Sequence, residues 1–257
     1  MQLPPATGSA AAPTTTVRSS LAGHALYLDI DGTLLEIAPS PERVEVPGWM
    51  VPLLQRLSAR LDGAVAFVSG RTIAAIDALF RPLKLPAVGV HGGEIRFGDR
   101  TVAMDEGLVA ELQAAVPLLR KAIEPLHGVW LEDKGCAIAL HYRTVPERGR
   151  EVLQIAELVV AGLGSAFAPL VGKCVVEIRA RHLTKGAGIR RLMECEPFRG
   201  RSPIFAGDDV TDEDAFKYVN QVGGISLRIG STEPSAATHR LADPAQLHRW
   251  LLEIAGA

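Results

Sequence analysis

Leu26-Tyr27-Leu28-Asp29-Ile30-Asp31-Gly32-Thr33-Leu34 is an apolar run that delivers two carboxylates, one residue apart, into a glycine turn. Alternate side chains on an extended segment point the same way, so Asp29 and Asp31 crowd two like charges at one strand end. A cation between them relieves the crowding. Mg2+ suits the donors best, being commonly held by one or two carboxylates together with substrate phosphate. The structural alternative is a polar strand end whose aspartates cap a turn, with Gly32-Thr33 as ordinary turn residues.

The chain around this stretch alternates between two periods. Glu42 to Leu61 places Val51, Leu54, Leu57 and Leu61 at helical spacing, with Pro47 near its start. Ala64 to Val68 is a short continuous apolar run, the pattern of a buried parallel strand, and it ends at Ser69-Gly70-Arg71. A helical pattern follows from Thr72 to Phe80, then a strand over Ala87 to Val90 that ends in His91-Gly92-Gly93-Glu94. Strands and helices in alternation, with polar chemistry after each strand, predict an open α/β sheet whose ligand lies beyond the carboxyl ends of the strands.

The middle of the chain departs from this rhythm. A helical stretch from about Leu108 to Leu126 precedes Gly128 to Lys134, Cys136 to Arg143, a helix over Glu147 to Gly162, and Lys173 to Arg179. Turn-separated strands between two helices predict an α+β insertion at residues 105–180, an antiparallel sheet with helices on one face. The α/β rhythm returns with a helix opened by Lys185-Gly186, a buried strand at Pro203 to Ala206 followed by Gly207-Asp208-Asp209-Val210-Thr211-Asp212, a strand at Gly224 to Gly230, and a closing helix from Ala245 to Ala255. The predicted organisation is a Rossmann-like α/β core built from residues 21–104 and 181–257, interrupted by the insertion. Residues 1–20 are Ala, Thr, Pro and Ser with almost no large apolar side chain, and are expected to form a disordered tail.

A chain of 257 residues with 47% hydrophobic residues buries a substantial core. Its net charge of -2 gives no electrostatic ground for nucleic-acid or membrane binding. No apolar run reaches the roughly 18 to 20 residues of a membrane span, and the N-terminus lacks the basic-then-apolar pattern of a secretory signal. The three cysteines, Cys136, Cys174 and Cys195, are widely spaced and form no zinc-type pairs, which fits a reducing, cytoplasmic setting.

Four strand-end clusters remain: Asp29/Asp31/Thr33, Ser69, Lys185, and Asp208/Asp209/Asp212. In this order they resemble the motifs of the haloacid dehalogenase-like (HAD) phosphatase superfamily. The resemblance implies a HAD core with an inserted cap domain and phosphoryl transfer through a carboxylate nucleophile. Asp29 takes that role, since a metal-bound carboxylate is ionised at neutral pH without a base. Asp31 is implied as the acid/base, with its backbone carbonyl on the metal. Ser69 and Lys185 are implied to contact the phosphoryl oxygens, with Thr33, Gly70 and Arg71 beside them. Arg71 is equally readable as the structural partner of a nearby carboxylate. Asp208 is the remaining metal ligand, and Asp209 and Asp212 are either further ligands or groups that hold it.

Leu28 to Leu34, Val68-Ser69-Gly70-Arg71 and Gly207 to Phe216 look like the trehalose-6-phosphate phosphatases within that superfamily. Trp130-Leu131-Glu132-Asp133-Lys134, His141-Tyr142-Arg143 and Val176-Glu177-Ile178-Arg179 are similar to that family's sugar-contacting strands. The implied substrate is trehalose 6-phosphate, held by Glu132, Lys134 and Glu177 with His91 at the core edge, and coupling to a trehalose-6-phosphate synthase is a corollary. A solvated polar face with cross-strand pairs is the plainer reading of those charges. Sucrose phosphate, mannosyl-3-phosphoglycerate, intramolecular phosphoryl transfer and an idle regulatory module of the synthase are the alternatives at the level of function.

Overall fold

The computed structural model describes residues 21–37, 43–103, 106–230 and 232–256. The expected tail at 1–20, Glu42 and the expected boundary at 104/105 lie outside the described residues. β1 (His24–Leu28) leads through α1 (Met50–Arg60) to β2 (Val65–Val68), and α2 (Ile73–Leu79) to β3 (Ala87–Gly89). A hairpin of β4 (Glu94–Phe97) and β5 (Arg100–Ala103) follows, then α3 (Glu106–Ile123), β6 (Trp130–Asp133), β7 (Ala137–His141), α4 (Gly149–Leu163), β8 (Phe167–Gly172) and β9 (Val175–Ala180). The chain closes with α5 (Lys185–Met193), β10 (Ser202–Gly207), α6 (Glu213–Gln221), β11 (Ile225–Ile229), β12 (His239–Leu241) and α7 (Pro244–Ala255).

The larger sheet runs β12-β11-β10-β1-β2-β3-β4-β5. Its first six strands in that order are parallel, and β4 and β5 add antiparallel to one edge. β1, β2 and β10 are buried along nearly their whole length, which is why each reads as an unbroken apolar run. The order reverses at β1, where β2 lies on one side and β10 on the other. Leu28 is in register with Phe67 and Ala206, so the strand ends that carry Asp29, Ser69 and Asp208 finish side by side at the topological switch point.

The smaller sheet is antiparallel, β6-β7-β9-β8. Leu131, Leu140, Ile138, Val176, Ile178 and Phe167 face α3 and α4, packing on Leu112, Ala115, Leu119, Val152, Ala156 and Val160 in a hydrophobic cluster separate from that of the larger sheet. The strand period of two then puts Glu132, Lys134, His141 and Glu177 on the opposite face.

Three features depart from the sequence reading. The first helix begins at Met50 rather than near residue 42, because Pro52 has no N–H to donate and is tolerated only in a helix's first turn. The β4–β5 hairpin extends the larger sheet where only a strand end was expected. β8 and β12 were not anticipated: β8 lies at an edge and contains Pro169, and β12 has three residues.

Phe205 on β10 has no exposed surface and packs against Phe216 of α6, ring centroids 5.4 Å apart and planes tilted by 46°. Phe205→Ala is expected to lower the unfolding free energy by about 3 to 5 kcal/mol. Urea denaturation followed by circular dichroism measures this, and a loss below about 1 kcal/mol contradicts the packing described.

Candidate active site

Asp29 leaves the end of β1 with 3% of its surface exposed, and three elements converge on it. Thr33, from the turn after β1, donates its hydroxyl to Asp29 Oδ2 at 3.0 Å and toward Asp208 Oδ1 at 3.4 Å. Lys185, the first residue of α5, reaches Asp29 Oδ1 at 2.8 Å and Asp212 Oδ1 at 2.6 Å. Thr184 sets that helix start by accepting from the Ala187 N–H at 3.1 Å, so the N-cap aims the lysine. Asp212 Oδ2 accepts the backbone N–H groups of Asp208 and Asp209 at 3.0 and 2.9 Å, folding the loop after β10 around itself. Gly32 has a φ of +84°, and a Cβ there would strike the Asp208 carboxylate, so only glycine fits this approach.

Asp29, Asp208 and Asp212 offer oxygens that all lie within 4.8 Å of one another. Burial pushes the Asp29 carboxyl well above its ordinary range, against the pull of Lys185 and with the push of Asp212 and Asp208. Burial and Asp212 push Asp208 up to about 6, and burial raises Asp212 as well. Burial also works against the Lys185 ammonium, but Asp212 and Asp29 outweigh it and raise the lysine. The Lys185 ammonium bonds two of these three carboxylates, and Asp208 has only a 3.9 Å contact with the exposed Lys173, so a hard divalent cation fits this oxygen set and its surplus negative charge. Asp31 and Asp209 do not join the group with their side chains. Asp31 is held by Arg71, Nε to Oδ2 at 2.7 Å and Nη2 to Oδ1 at 2.6 Å, while Asp209 Oδ1 accepts the Val210 N–H at 2.7 Å.

Ser69 and Gly70 continue from β2 beside Asp29. Ser69 is 1% exposed, and its hydroxyl accepts the Arg71 N–H at 3.2 Å. After β3, Val90 and His91 both adopt positive φ, 46° and 50°, which is uncommon for residues other than glycine and marks local strain. His91 N–H donates to the Ser69 carbonyl at 3.0 Å, and its ring lies against Gly70, leaving no room for a side chain there.

The polar face of the smaller sheet closes over these strand ends. Lys134 Nζ bridges Glu177 Oε2 at 2.9 Å and the Gly70 carbonyl at 3.0 Å, tying the two sheets together. Burial disfavours the Lys134 ammonium, but Glu177 and Glu132 prevail and its pKa rises. Burial alone would raise Glu177, and Lys134 and His91 overturn that and lower it. Its Oε1 makes no hydrogen bond and has His91 Nε2 at 3.6 Å. Glu132 is lowered chiefly by its 2.8 Å bond with His141, whose ring stacks on Trp130 at a centroid distance of 4.0 Å. Ala139 pairs with both Glu132 and Glu177, so a methyl group separates the two carboxylates.

A cavity of about 600 Å3 runs between the sheets, lined by Asp29, Asp31, Ser69, Gly70, Arg71, His91, Glu132, Lys134, Lys185, Asp208 and Asp209 among others. Its size suits a small molecule. Thr33, Asp212 and Glu177 stand just behind or beside that surface. Among the further lining residues, His141 and Arg143 lie in the segment likened to sugar-contacting strands but received no site role from the sequence, and Ile37 and Val44, on either side of residues 38–42, carry no motif.

A mostly parallel sheet with acidic strand ends, a lysine locked between two of them and a second antiparallel sheet over the site define a hydrolase of the HAD fold. The trehalose-phosphatase family model matches residues 27–245, and the chain belongs to that family. It is 39% identical over 248 residues to the trehalose-6-phosphate phosphatase of Escherichia coli K12, covering 95% of this chain and 91% of that protein. It is 42% identical over 224 residues to a probable trehalose-phosphate phosphatase of Sinorhizobium fredii, covering 85% and 82%. The fold matches the C-terminal domain of Candida albicans trehalose-6-phosphate phosphatase with a TM-score of 0.76 at 22% identity, over 91% of this chain and 92% of that one.

His91 supplies a pH test. Burial lowers its pKa to about 3, with Glu177 opposing, so the folded ring stays neutral while the unfolded one takes up a proton below its ordinary value of 6.5. The stability tied to the neutral ring is therefore present above pH 6.5 and is lost progressively as pH falls toward 3. Between pH 7 and pH 4.5 the wild type is expected to lose about 2 kcal/mol more unfolding free energy than His91→Gln. Equal losses in chemical denaturation at the two pH values contradict a buried, neutral His91.

Proposed function

We propose that this chain hydrolyses trehalose 6-phosphate to trehalose and inorganic phosphate. Membership of the family and the 39% and 42% identical relatives support the activity. The buried Lys185 bridge between Asp29 and Asp212, on the wall of a cavity sized for a small molecule, carries the mechanism. Residues 21–104 and 181–257 act as the catalytic core, and residues 105–180 as a cap that brings the sugar contacts.

Asp29 attacks phosphorus in this reading. The bond from phosphorus to the sugar oxygen breaks, the phosphoryl group passes to the Asp29 carboxylate, and Asp31 gives a proton to the departing alkoxide. Asp31 then takes a proton from the water that attacks phosphorus, which frees phosphate and restores Asp29. Arg71 fixes the orientation of Asp31, whose side chain is 38% exposed and so within reach of that water. Ser69, the Gly70 backbone, Thr33 and Lys185 orient the phosphoryl oxygens and balance their charge.

Mg2+ is the proposed cofactor, held by Asp29, Asp208 and the Asp31 backbone carbonyl, and it supplies positive charge to the phosphoryl oxygens and to the nucleophile. Asp212, with both oxygens engaged by Lys185 and two backbone amides, braces this set, and Asp209 caps the turn beside it. Glu132, Lys134, Glu177 and His91 take the sugar hydroxyls. The open Oε1 of buried Glu177 is an acceptor that a hydroxyl can satisfy. The segments at 100–106 and 179–184 are the proposed hinges, the first of which includes residues 104 and 105, outside the described residues. The free thiols fit a cytoplasmic enzyme, supplied with its substrate by a trehalose-6-phosphate synthase. An idle regulatory module needs no nucleophile beside an acid/base, and the pairing of Asp29 with Lys185 favours catalysis.

Asp29→Asn is expected to lower kcat by about a thousandfold or more while the circular dichroism spectrum stays that of the wild type. Removal of Mg2+ by EDTA is expected to abolish turnover and its return to restore it. Wild-type rates in the Asn variant sink the nucleophile assignment. Phosphate release across trehalose, sucrose, glucose and mannosyl phosphates tests the substrate. Trehalose 6-phosphate is expected to lead in kcat/KM, and a preference of about tenfold or more for another sugar overturns the choice.

A further inference from the structure

β11 places a charged side chain inside the larger sheet. Gly207 is in register with Arg228, so the arginine stands beside the last residue of β10, directly before the loop that carries Asp208 and Asp212. Arg228 is 6% exposed and does not line the cavity. A buried guanidinium is costly unless its charge is paired and its N–H groups are engaged. Its Nη1 donates to the Asp209 carbonyl at 2.8 Å and to Glu213 Oε1 at 3.3 Å, whereas its Nε is buried with no hydrogen-bond partner among the described residues. Both contacts therefore come from one nitrogen.

That nitrogen ties Asp209 to Glu213 and so closes the segment that holds Asp212 between them. The segment is braced twice. Asp212 Oδ2 takes the N–H groups of Asp208 and Asp209, and Arg228 takes the Asp209 carbonyl. Glu213 extends the second brace, since its Oε2 accepts the Ala236 N–H at 2.8 Å and joins it to the loop before β12. Asp208 relies on this backbone for its aim, because its own carboxylate has only the 3.4 Å approach of Thr33 and the 3.9 Å approach of Lys173. Asp212 is itself bonded to Lys185, so Arg228 is the brace that stands apart from the reacting groups.

We propose that Arg228 is a positioning residue for the divalent cation. By fixing the Asp209 peptide and the first turn of α6, it holds the Asp208 carboxylate where it can take Mg2+ together with Asp29. The proposal rests on the Mg2+ reading above. A loop that is already set loses less freedom when the cation arrives, and this is the source of the gain in affinity. The charge of Arg228 acts the other way, because a cation beneath the loop opposes a second one at Asp208. Weaker metal binding on loss of Arg228 therefore reports lost geometry, and tighter binding reports lost charge.

Titration of the full chain with Mn2+, with the free ion followed by electron paramagnetic resonance and Mg2+ added as competitor, tests this in wild type, Arg228→Met and Arg228→Lys. Arg228→Met is expected to weaken binding of both ions about tenfold, the scale of loss when a group that orients a metal ligand is removed. Arg228→Lys is expected to stay within about threefold of the wild type, since a single ammonium can take the place of Nη1. The Mg2+ concentration that gives half-maximal phosphate release should rise in Arg228→Met by the same factor as the dissociation constant, with kcat at saturating Mg2+ changed far less. Unchanged or tighter Mn2+ binding in a folded Arg228→Met protein, or a loss as large in Arg228→Lys, overturns the proposal. Arg228→Gln, shorter and uncharged, serves in the same way if Arg228→Met does not fold. A wild type that binds neither ion overturns the Mg2+ assignment and the role of Arg228 together, whereas one that binds both without hydrolysing trehalose 6-phosphate overturns the substrate assignment alone.

Discussion

The Lys185 ammonium, buried between the carboxylates of Asp29 and Asp212 at 2.8 and 2.6 Å, is the interaction on which the rest of the site depends. An ammonium and carboxylates at such depth persist only when each remaining polar atom is also engaged. Here Thr33 takes the second oxygen of Asp29, and two backbone amides take the second oxygen of Asp212. The partners come from β1, the start of α5 and the loop after β10, which the parallel register of β1 with β10 brings together over more than 150 residues of chain. Losing Lys185 would leave Asp29 and Asp212 without a protein cation in contact, and Asp208 with only the 3.9 Å contact of Lys173.

The same economy of charge extends across the cleft. Lys134 stands between Glu177 of its own sheet and the Gly70 carbonyl of the other, so the polar face of the smaller sheet is locked to the strand end that carries Ser69. His91, held in a left-handed backbone conformation at the end of β3, fills the space beside Gly70 and faces Glu177. A ligand placed here meets fixed dipoles and paired charges rather than mobile water, the condition under which electrostatic stabilisation is strongest. In the proposed reaction, substrate entry and product exit would require the two sheets to part, which would tie turnover to motion of the connecting segments.

Much of this was legible in the sequence because the buried parallel strands β1, β2 and β10 write themselves as unbroken apolar runs, and the residues after them are the ones that line the cavity. Asp29, Ser69 and Asp208 stand at those strand ends, and Lys185 was read instead from the start of a helix. The edge elements were not legible. β8 contains a proline, β12 spans three residues, and the β4–β5 hairpin follows a strained turn at Val90 and His91 that no composition announces. The division of labour among Asp208, Asp209 and Asp212 was illegible for a related reason, since it depends on which oxygens meet backbone amides and not on spacing. Lys173 sits in a two-residue turn, where a lysine carries no signal until the fold shows what lies opposite.

The central claim is that the phosphoryl group passes through the Asp29 carboxylate. Rapid quenching in acid of Asp31→Asn during turnover of trehalose 6-phosphate, followed by peptide mass spectrometry, tests it most directly. The account predicts one phosphoryl group on the peptide that carries Asp29, formed more slowly because the variant lacks the acid for the leaving alkoxide and retained because it lacks the base that activates water. Phosphate released at the wild-type rate with no modification of that peptide, or a phosphoryl group carried on another residue, contradicts it.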